Sequence, residues 1–136
     1  MINVLVVEDD PDMRRFLRRV LDAADGIHLV GEAEDGEKAL PLVRQLRPDV
    51  VVMDIFMPEM DGLEAMEQLH ELCEEPARVL VCSAVATPGL VKDAWRKGAR
   101  GYVLKQAMMD ELIDAILAVS QDRHYFSAGT GHPLDR

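Results

Sequence analysis

Asn3-Val4-Leu5-Val6-Val7-Glu8-Asp9-Asp10-Pro11 runs from an apolar, β-branched stretch directly into three acids and a proline. Val4 to Val7 show no polar alternation, so the strand they imply is apolar on both faces, as strands of a covered parallel sheet are. Asp10 before Pro11 reads as a helix N-cap followed by proline at the first helical position. Beyond it Met13, Phe16, Leu17, Val20, Leu21 and Ala24 recur at intervals of three and four, the spacing of one buried helix face. The stretch is therefore a strand-to-helix unit whose junction carries Glu8 and Asp9, two carboxylates that capping does not explain.

The same unit recurs along the chain. Val50–Met53, Ala77–Cys82 and Gly101–Leu104 are further short apolar runs, and Ile27–Ala33 is a weaker one with partial alternation. Between them lie the helical periods Leu63, Met66, Leu69, Cys73, then Leu90, Val91, Ala94, Trp95, then Leu112, Ile113, Ile116, Leu117, Ser120. Gly36 to Leu46 also reads as helix, with Pro41 expected to bend or weaken it by removing a backbone donor. Five such units predict an α/β fold, a doubly wound parallel sheet with right-handed crossovers and helices on both faces. After about Asp122 the periodicity stops, and Ser127-Ala-Gly-Thr-Gly-His-Pro133 is small and polar, so residues 1–122 are expected to form the domain and 123–136 a tail or linker.

The 136 residues suffice for one domain, and 49% hydrophobic with 29% charged residues marks a globular chain. A formal net charge of -10 disfavours direct DNA binding, because nucleic acid rewards Lys and Arg. Apolar runs stop far short of the roughly 20 residues of a membrane helix. With no basic leader at Met1-Ile2-Asn3, a cytoplasmic location is expected. Cys73 and Cys82 lack metal or redox spacing and read as reduced core thiols. His28, His70, His124 and His132 are scattered and imply no zinc site.

Polar groups stand at four strand ends: Glu8 and Asp9, Asp54, Ser83 and Lys105. In a doubly wound sheet these carboxyl ends converge where ligands bind. Crowded carboxylates repel unless a cation sits among them, and hard oxygen ligands suit Mg²⁺. With that charge and Lys105 offsetting an incoming phosphoryl donor, Asp54 can act as nucleophile and form an acyl phosphate. The Ser83 hydroxyl could bond a phosphoryl oxygen, and Tyr102 could turn inward as that hydroxyl moves, forming a switch. Asp61-Gly62 needs only cap and turn chemistry, and Met53, Met57, Met60 and Met66 read as filling for core and loops.

At these residues the chain resembles the response-regulator receiver family. The resemblance is carried by Val6-Val7-Glu8-Asp9-Asp10-Pro11, by Val52-Met53-Asp54-Ile55-Phe56-Met57-Pro58-Glu59-Met60-Asp61-Gly62, by Cys82-Ser83-Ala84 and by Gly101-Tyr102-Val103-Leu104-Lys105. It implies a flavodoxin-like (βα)5 fold with strand order 2-1-3-4-5 and phosphotransfer from a sensor histidine kinase. It further implies Asp54 as phosphoacceptor, Lys105 and Ser83 as its partners, and Ser83 with Tyr102 as the switch. Mg²⁺ is implied on Asp9, Asp54 and the Phe56 backbone carbonyl, with Glu8 acting through water. Val30-Gly-Glu-Ala-Glu-Asp-Gly36 and the absence of proline after Lys105 look most like the NarL-type subgroup, whose receivers usually precede a DNA-binding helix-turn-helix.

That likeness implies control of transcription through an output domain outside this chain, and a homodimer formed on phosphorylation. Many relatives carry Lys-Pro with a cis bond, whereas Gln106 follows Lys105 here, and Ser83 replaces the commoner threonine. Phe56 and Val85 stand where the family's side chains flank the attacking water, and neither can orient one, so slow loss of phosphate is expected. A catalytic role beyond self-phosphorylation and slow autodephosphorylation is not implied. A haloacid-dehalogenase phosphatase would want an acid at Phe56, and an FMN site would be repelled by Glu8-Asp9-Asp10. The remaining alternative is a receiver-fold interaction module that works without phosphorylation.

Overall fold

The computed structural model describes residues 1–57, 61–72 and 77–127. Strands and helices alternate as β1 (Ile2–Val7), α1 (Pro11–Asp22), β2 (Ile27–Ala33), α2 (Gly36–Leu46), β3 (Val50–Met53), α3 (Gly62–Leu72) and β4 (Arg78–Ser83). They continue as α4 (Pro88–Arg96), β5 (Ala99–Leu104), a single 3-10 turn at Lys105–Ala107, α5 (Met108–Ser120) and β6 (Tyr125–Phe126). All pairings are parallel, in the order β2-β1-β3-β4-β5-β6.

Covering the sheet on both faces makes its central strands uniformly apolar. One apolar layer packs Leu5, Val7, Val51, Met53, Val81 and Tyr102 against α2, α3 and α4 residues such as Val43, Met66 and Val91. The other packs Val4, Val6, Val52, Leu80 and Val103 against Leu17 and Leu21 of α1 and Leu112 and Ile116 of α5. Alternate residues of each strand feed opposite layers, as the pleat requires. Cys82 is a buried free thiol beside Met108, as its apolar setting implied, and burial pushes it up to about 12. Cys73 lies outside the described residues.

Asp10 caps α1 by accepting from the Asp12 amide at 2.9 Å, with Pro11 at the first helical position. Thr87 caps α4 through the Leu90 amide at 3.1 Å. The α2 helix continues past Pro41 to Leu46. Both Pro41 and Glu37, whose carbonyl loses its partner there, lie on the exposed side, open to water.

The sheet departs from the five-stranded expectation at its far edge. Asp122, in the left-handed conformation at φ 62°, turns the chain after α5, and Tyr125 and Phe126 then pair with Gly101 and Tyr102. The stretch expected to be tail from residue 123 therefore begins with a sixth strand. Two residues are too few to show any hydrophobic period, which is why the pattern gave no sign of it. Residues 128–136 lie outside the described part. No cis peptide bond occurs among the described residues, so the Lys105–Gln106 bond is trans.

Candidate functional site

The carboxyl ends of β1, β3, β4 and β5 meet above the sheet because parallel strands in register end on the same side. Glu8 and Asp54 are buried there, whereas Asp9 is exposed at the rim. Each of Glu8, Asp9 and Asp54 offers a carboxylate oxygen within 4.8 Å of the others. The Lys105 ammonium lies between two of them, 2.6 Å from Glu8 Oε1 and 2.8 Å from Asp54 Oδ2. The sequence placed these four residues at three strand ends, and the fold brings them into one pocket.

The electrostatics follow from burial and crowding. Burial pushes the Glu8 carboxyl up, reinforced by Asp9 and Asp54 and opposed by Lys105 and the Asp10 amide. Burial alone would lower Lys105, but its bonds to Asp54 and Glu8 outweigh that and hold the ammonium well above its ordinary value. Lys105 is therefore a fixed positive charge across any ordinary pH. It is one cation against three acids, which leaves room for another.

A hard divalent ion fits this donor set. Three carboxylates converging without thiol or imidazole are the chemistry of Mg²⁺, which keeps several waters beside one or two protein oxygens. No other such cluster of acids, histidines and cysteines occurs among the described residues.

The loops that hold the acids are themselves tied down. The Asp54 carboxylate accepts from the Phe56 amide at 3.0 Å, which tethers the β3–α3 loop to the acid it follows. Arg14, one turn into α1, donates to the Glu8 carbonyl at 2.7 Å and the Asp9 carbonyl at 3.1 Å. Glu32 on β2 faces this arginine at 4.0 Å and holds Arg18 in a bidentate pair. Arg14 carried no signal in the sequence beyond the charged face of a helix, and its role as a clamp on the acidic loop emerges only in three dimensions. Gly62 was read as turn chemistry alone. A Cβ there would come within 2.6 Å of the Asp54 carbonyl oxygen and 2.8 Å of Ile55 Cα, so the start of α3 can approach β3 only as glycine. Asp61 does cap α3, accepting from the Glu64 amide at 2.9 Å.

Ser83 is fully buried at the end of β4, and its hydroxyl accepts from the Val85 amide at 3.3 Å. The ring of Tyr102 is buried too, and its hydroxyl donates to the Val85 carbonyl at 2.6 Å. Burial pushes the Tyr102 phenol up, while the Ser83 hydroxyl beside it pulls the other way. Serine, tyrosine and the β4–α4 loop thus form one contact chain reaching from the pocket to β5. Phe56 and Val85, whose amides bond to Asp54 and Ser83, carry exposed apolar side chains, 53% and 47% accessible.

Comparison with known proteins gives the family. The response regulator receiver domain family matches residues 4–117. The chain is similar to the chemotaxis protein CheY of Listeria monocytogenes, 38% identical over 117 residues, spanning 85% of this chain and 96% of that one. It is similar also to the probable transcriptional regulatory protein NarL of Mycobacterium tuberculosis, 36% identical over 122 residues, spanning 90% of this chain but 56% of that one. Among solved structures, a LuxR-family two-component response regulator from an Aurantimonas species superposes with a TM-score of 0.91 at 32% identity. That match covers 96% of this chain and 92% of the other.

Proposed function

The chain belongs to the response regulator receiver family, and from that premise we propose that Asp54 is its phosphoacceptor, charged by a sensor histidine kinase in a Mg²⁺-dependent way. The observation that carries this reading is the Lys105 ammonium held between Glu8 and Asp54 at the strand ends. It sets a positive charge directly beside the Asp54 carboxylate, the nucleophile of this reading, and presents that charge to the phosphoryl oxygens. Asp9 and Asp54 would hold the metal directly, Glu8 through water, and the Phe56 carbonyl would take a further position. The bound ion supplies charge neutralisation for the incoming phosphoryl group.

In this reading Ser83 meets a phosphoryl oxygen, and Tyr102 carries the change to β5 through their shared loop. The output is a changed surface around α4, β5 and α5, used for homodimerisation or for an output domain that controls transcription. The chain itself does not contact DNA: its net charge of -10 opposes that. No helix among the described residues is long and apolar enough to cross a membrane.

Incubation with acetyl phosphate and Mg²⁺ followed by intact mass measurement tests the proposal. One added phosphoryl mass, lost in Asp54→Asn and on removal of Mg²⁺, is the expected result. An unmodified mass, or modification that survives Asp54→Asn, overturns it.

A further inference from the structure

The residues just after α5 are bound to β5 by more contacts than a passing connection needs. Parallel pairing in register places Phe126 beside Tyr102 on the α4 face and Tyr125 beside Gly101 on the α5 face. Phe126 packs against the apolar layer that contains Tyr102. Trp95 of α4 stands over it at 6.1 Å between ring centroids, with His124 edge-on to Trp95 at 4.6 Å and the Arg100 guanidinium 4.8 Å from the same ring.

On the other face the Tyr125 hydroxyl donates to Glu111 Oε1 at 2.9 Å. Ser127 is buried, and its amide donates to the Tyr102 carbonyl at 2.9 Å while its hydroxyl accepts from the Leu104 amide at 3.1 Å. That hydroxyl in turn donates to Glu111 Oε2 at 3.3 Å. Gly101 is what permits the close approach, because a Cβ there would meet the Tyr125 carbonyl at 2.8 Å.

We propose that residues 125–127 are a positioning strap for the switch strand. Phe126 walls in the Tyr102 ring, and Ser127 fixes the backbone on either side of Val103, one residue short of Lys105. The inference rests on the reading of Tyr102 and Lys105 as parts of the phosphorylation switch. A ring on an edge strand has solvent beside it and can swing out; here Phe126 occupies that space. Outward movement of Tyr102 and docking of the strap therefore compete. The strap holds the inward ring before phosphorylation and links the end of the domain to the phosphoryl site. Phe126 and Ser127 act as positioning residues, through Tyr102 and Leu104.

Fluorine NMR of the full 136-residue chain carrying 3-fluorotyrosine reads this directly, since Tyr102 and Tyr125 are its two tyrosines and Tyr125→Phe assigns the lines. The native Tyr102 line should be single and characteristic of a buried ring. In Phe126→Leu and in Ser127→Ala a second, solvent-like line should appear, and beryllofluoride with Mg²⁺ should drive it back to the buried position. Acetyl phosphate labelling of Ser127→Ala should slow on the order of tenfold, as loss of an outer support to a reactive group does.

Where a variant melts below the assay temperature, relaxation dispersion on the native chain replaces it. Opening of Ser127 and exchange of Tyr102 should then share one rate and one population. A Tyr102 line unaltered in both folded variants, or unrelated exchange at the two residues, overturns the strap. A native mass left unchanged by acetyl phosphate with Mg²⁺ speaks against the phosphoacceptor reading instead, while the Tyr102 line in the two variants still decides the strap.

Discussion

Lys105 Nζ and Asp54 Oδ2 lie 2.8 Å apart, and the same ammonium is 2.6 Å from Glu8, so one cation bridges two buried acids that follow different strands. Removing it strands both. Lys105→Met should destabilise the protein by about 3 kcal/mol, the lower end of what breaking a buried pair costs, because the lysine is partly open to water. Adding Asp54→Asn should recover part of the loss by removing one stranded charge. Mg²⁺ should raise the urea midpoint of Lys105→Met more than that of the native chain. Equal midpoints for native and Lys105→Met would mean that the pair carries no net interaction.

A second expectation concerns how long the phosphoryl group stays. Phe56 and Val85, two residues beyond Asp54 and Ser83, are exposed and apolar and offer no group to orient a water, so phospho-Asp54 should decay over many minutes or longer. Phe56→Asn with Val85→Glu should shorten that lifetime, because a polar side chain can align the attacking water. The check is decay of the phosphorylated mass in Mg²⁺ buffer for both proteins. Decay of the native form within seconds, or no acceleration in the double variant, rules out control by these two side chains.

Gly62 supplies a third. A methyl group there meets backbone atoms of Asp54 and Ile55, which cannot rotate away as a side-chain end could. Gly62→Ala should therefore cost about 1 to 3 kcal/mol through overpacking and shift the Asp54 backbone. Chemical denaturation gives the first quantity and the acetyl phosphate labelling rate the second. An alanine variant with native stability and native labelling would show that α3 can move back without disturbing the acid.

The tyrosines give a pH dependence. Burial and the Glu111 carboxylate push Tyr125 up to about 12, and burial also raises Tyr102. Each phenol thus holds its proton more tightly when folded than the ordinary tyrosine value of roughly 10. The linked stability is complete below the unfolded value and is lost as pH rises from there towards 12. Phenolate absorbance of the folded chain should lag behind that of the urea-unfolded chain, and Tyr125→Phe should remove one of the two late steps. Coincident titration of folded and unfolded chains would contradict this environment.

Much of the fold was legible because its strands are unusually explicit. Val4 to Val7 and Val50 to Met53 have no polar residue to blur them, and both end abruptly in acids. Strand ends of a parallel sheet converge by topology alone, so the sequence suffices to group Glu8, Asp9, Asp54, Ser83 and Lys105. The depth of each was not legible. Glu8 is sealed in while its neighbour Asp9 stays at the rim, because successive residues leaving a strand point opposite ways.

Arg14 was invisible for a similar reason: its contacts are to backbone carbonyls, which no residue pattern encodes. The strand β6 escaped because the partners of its two residues, Gly101, Tyr102 and Glu111, are all distant in sequence. Asp122 offered only a weak hint, as one of the few residue types that tolerate a left-handed backbone.

Closing the sheet with β6 also changes what the molecule presents to its neighbours in a concentrated solution. Without it, β5 would expose a six-residue run of donors and acceptors, Ala99–Leu104, ready to template another extended chain. With it, that border among the described residues is a strand of two residues followed by the buried Ser127, whose amide bonds to the Tyr102 carbonyl. A receiver cut off after residue 122 should thus be more prone to cross-β aggregation than the same domain ending at 127, even where both fold and bind Mg²⁺ alike.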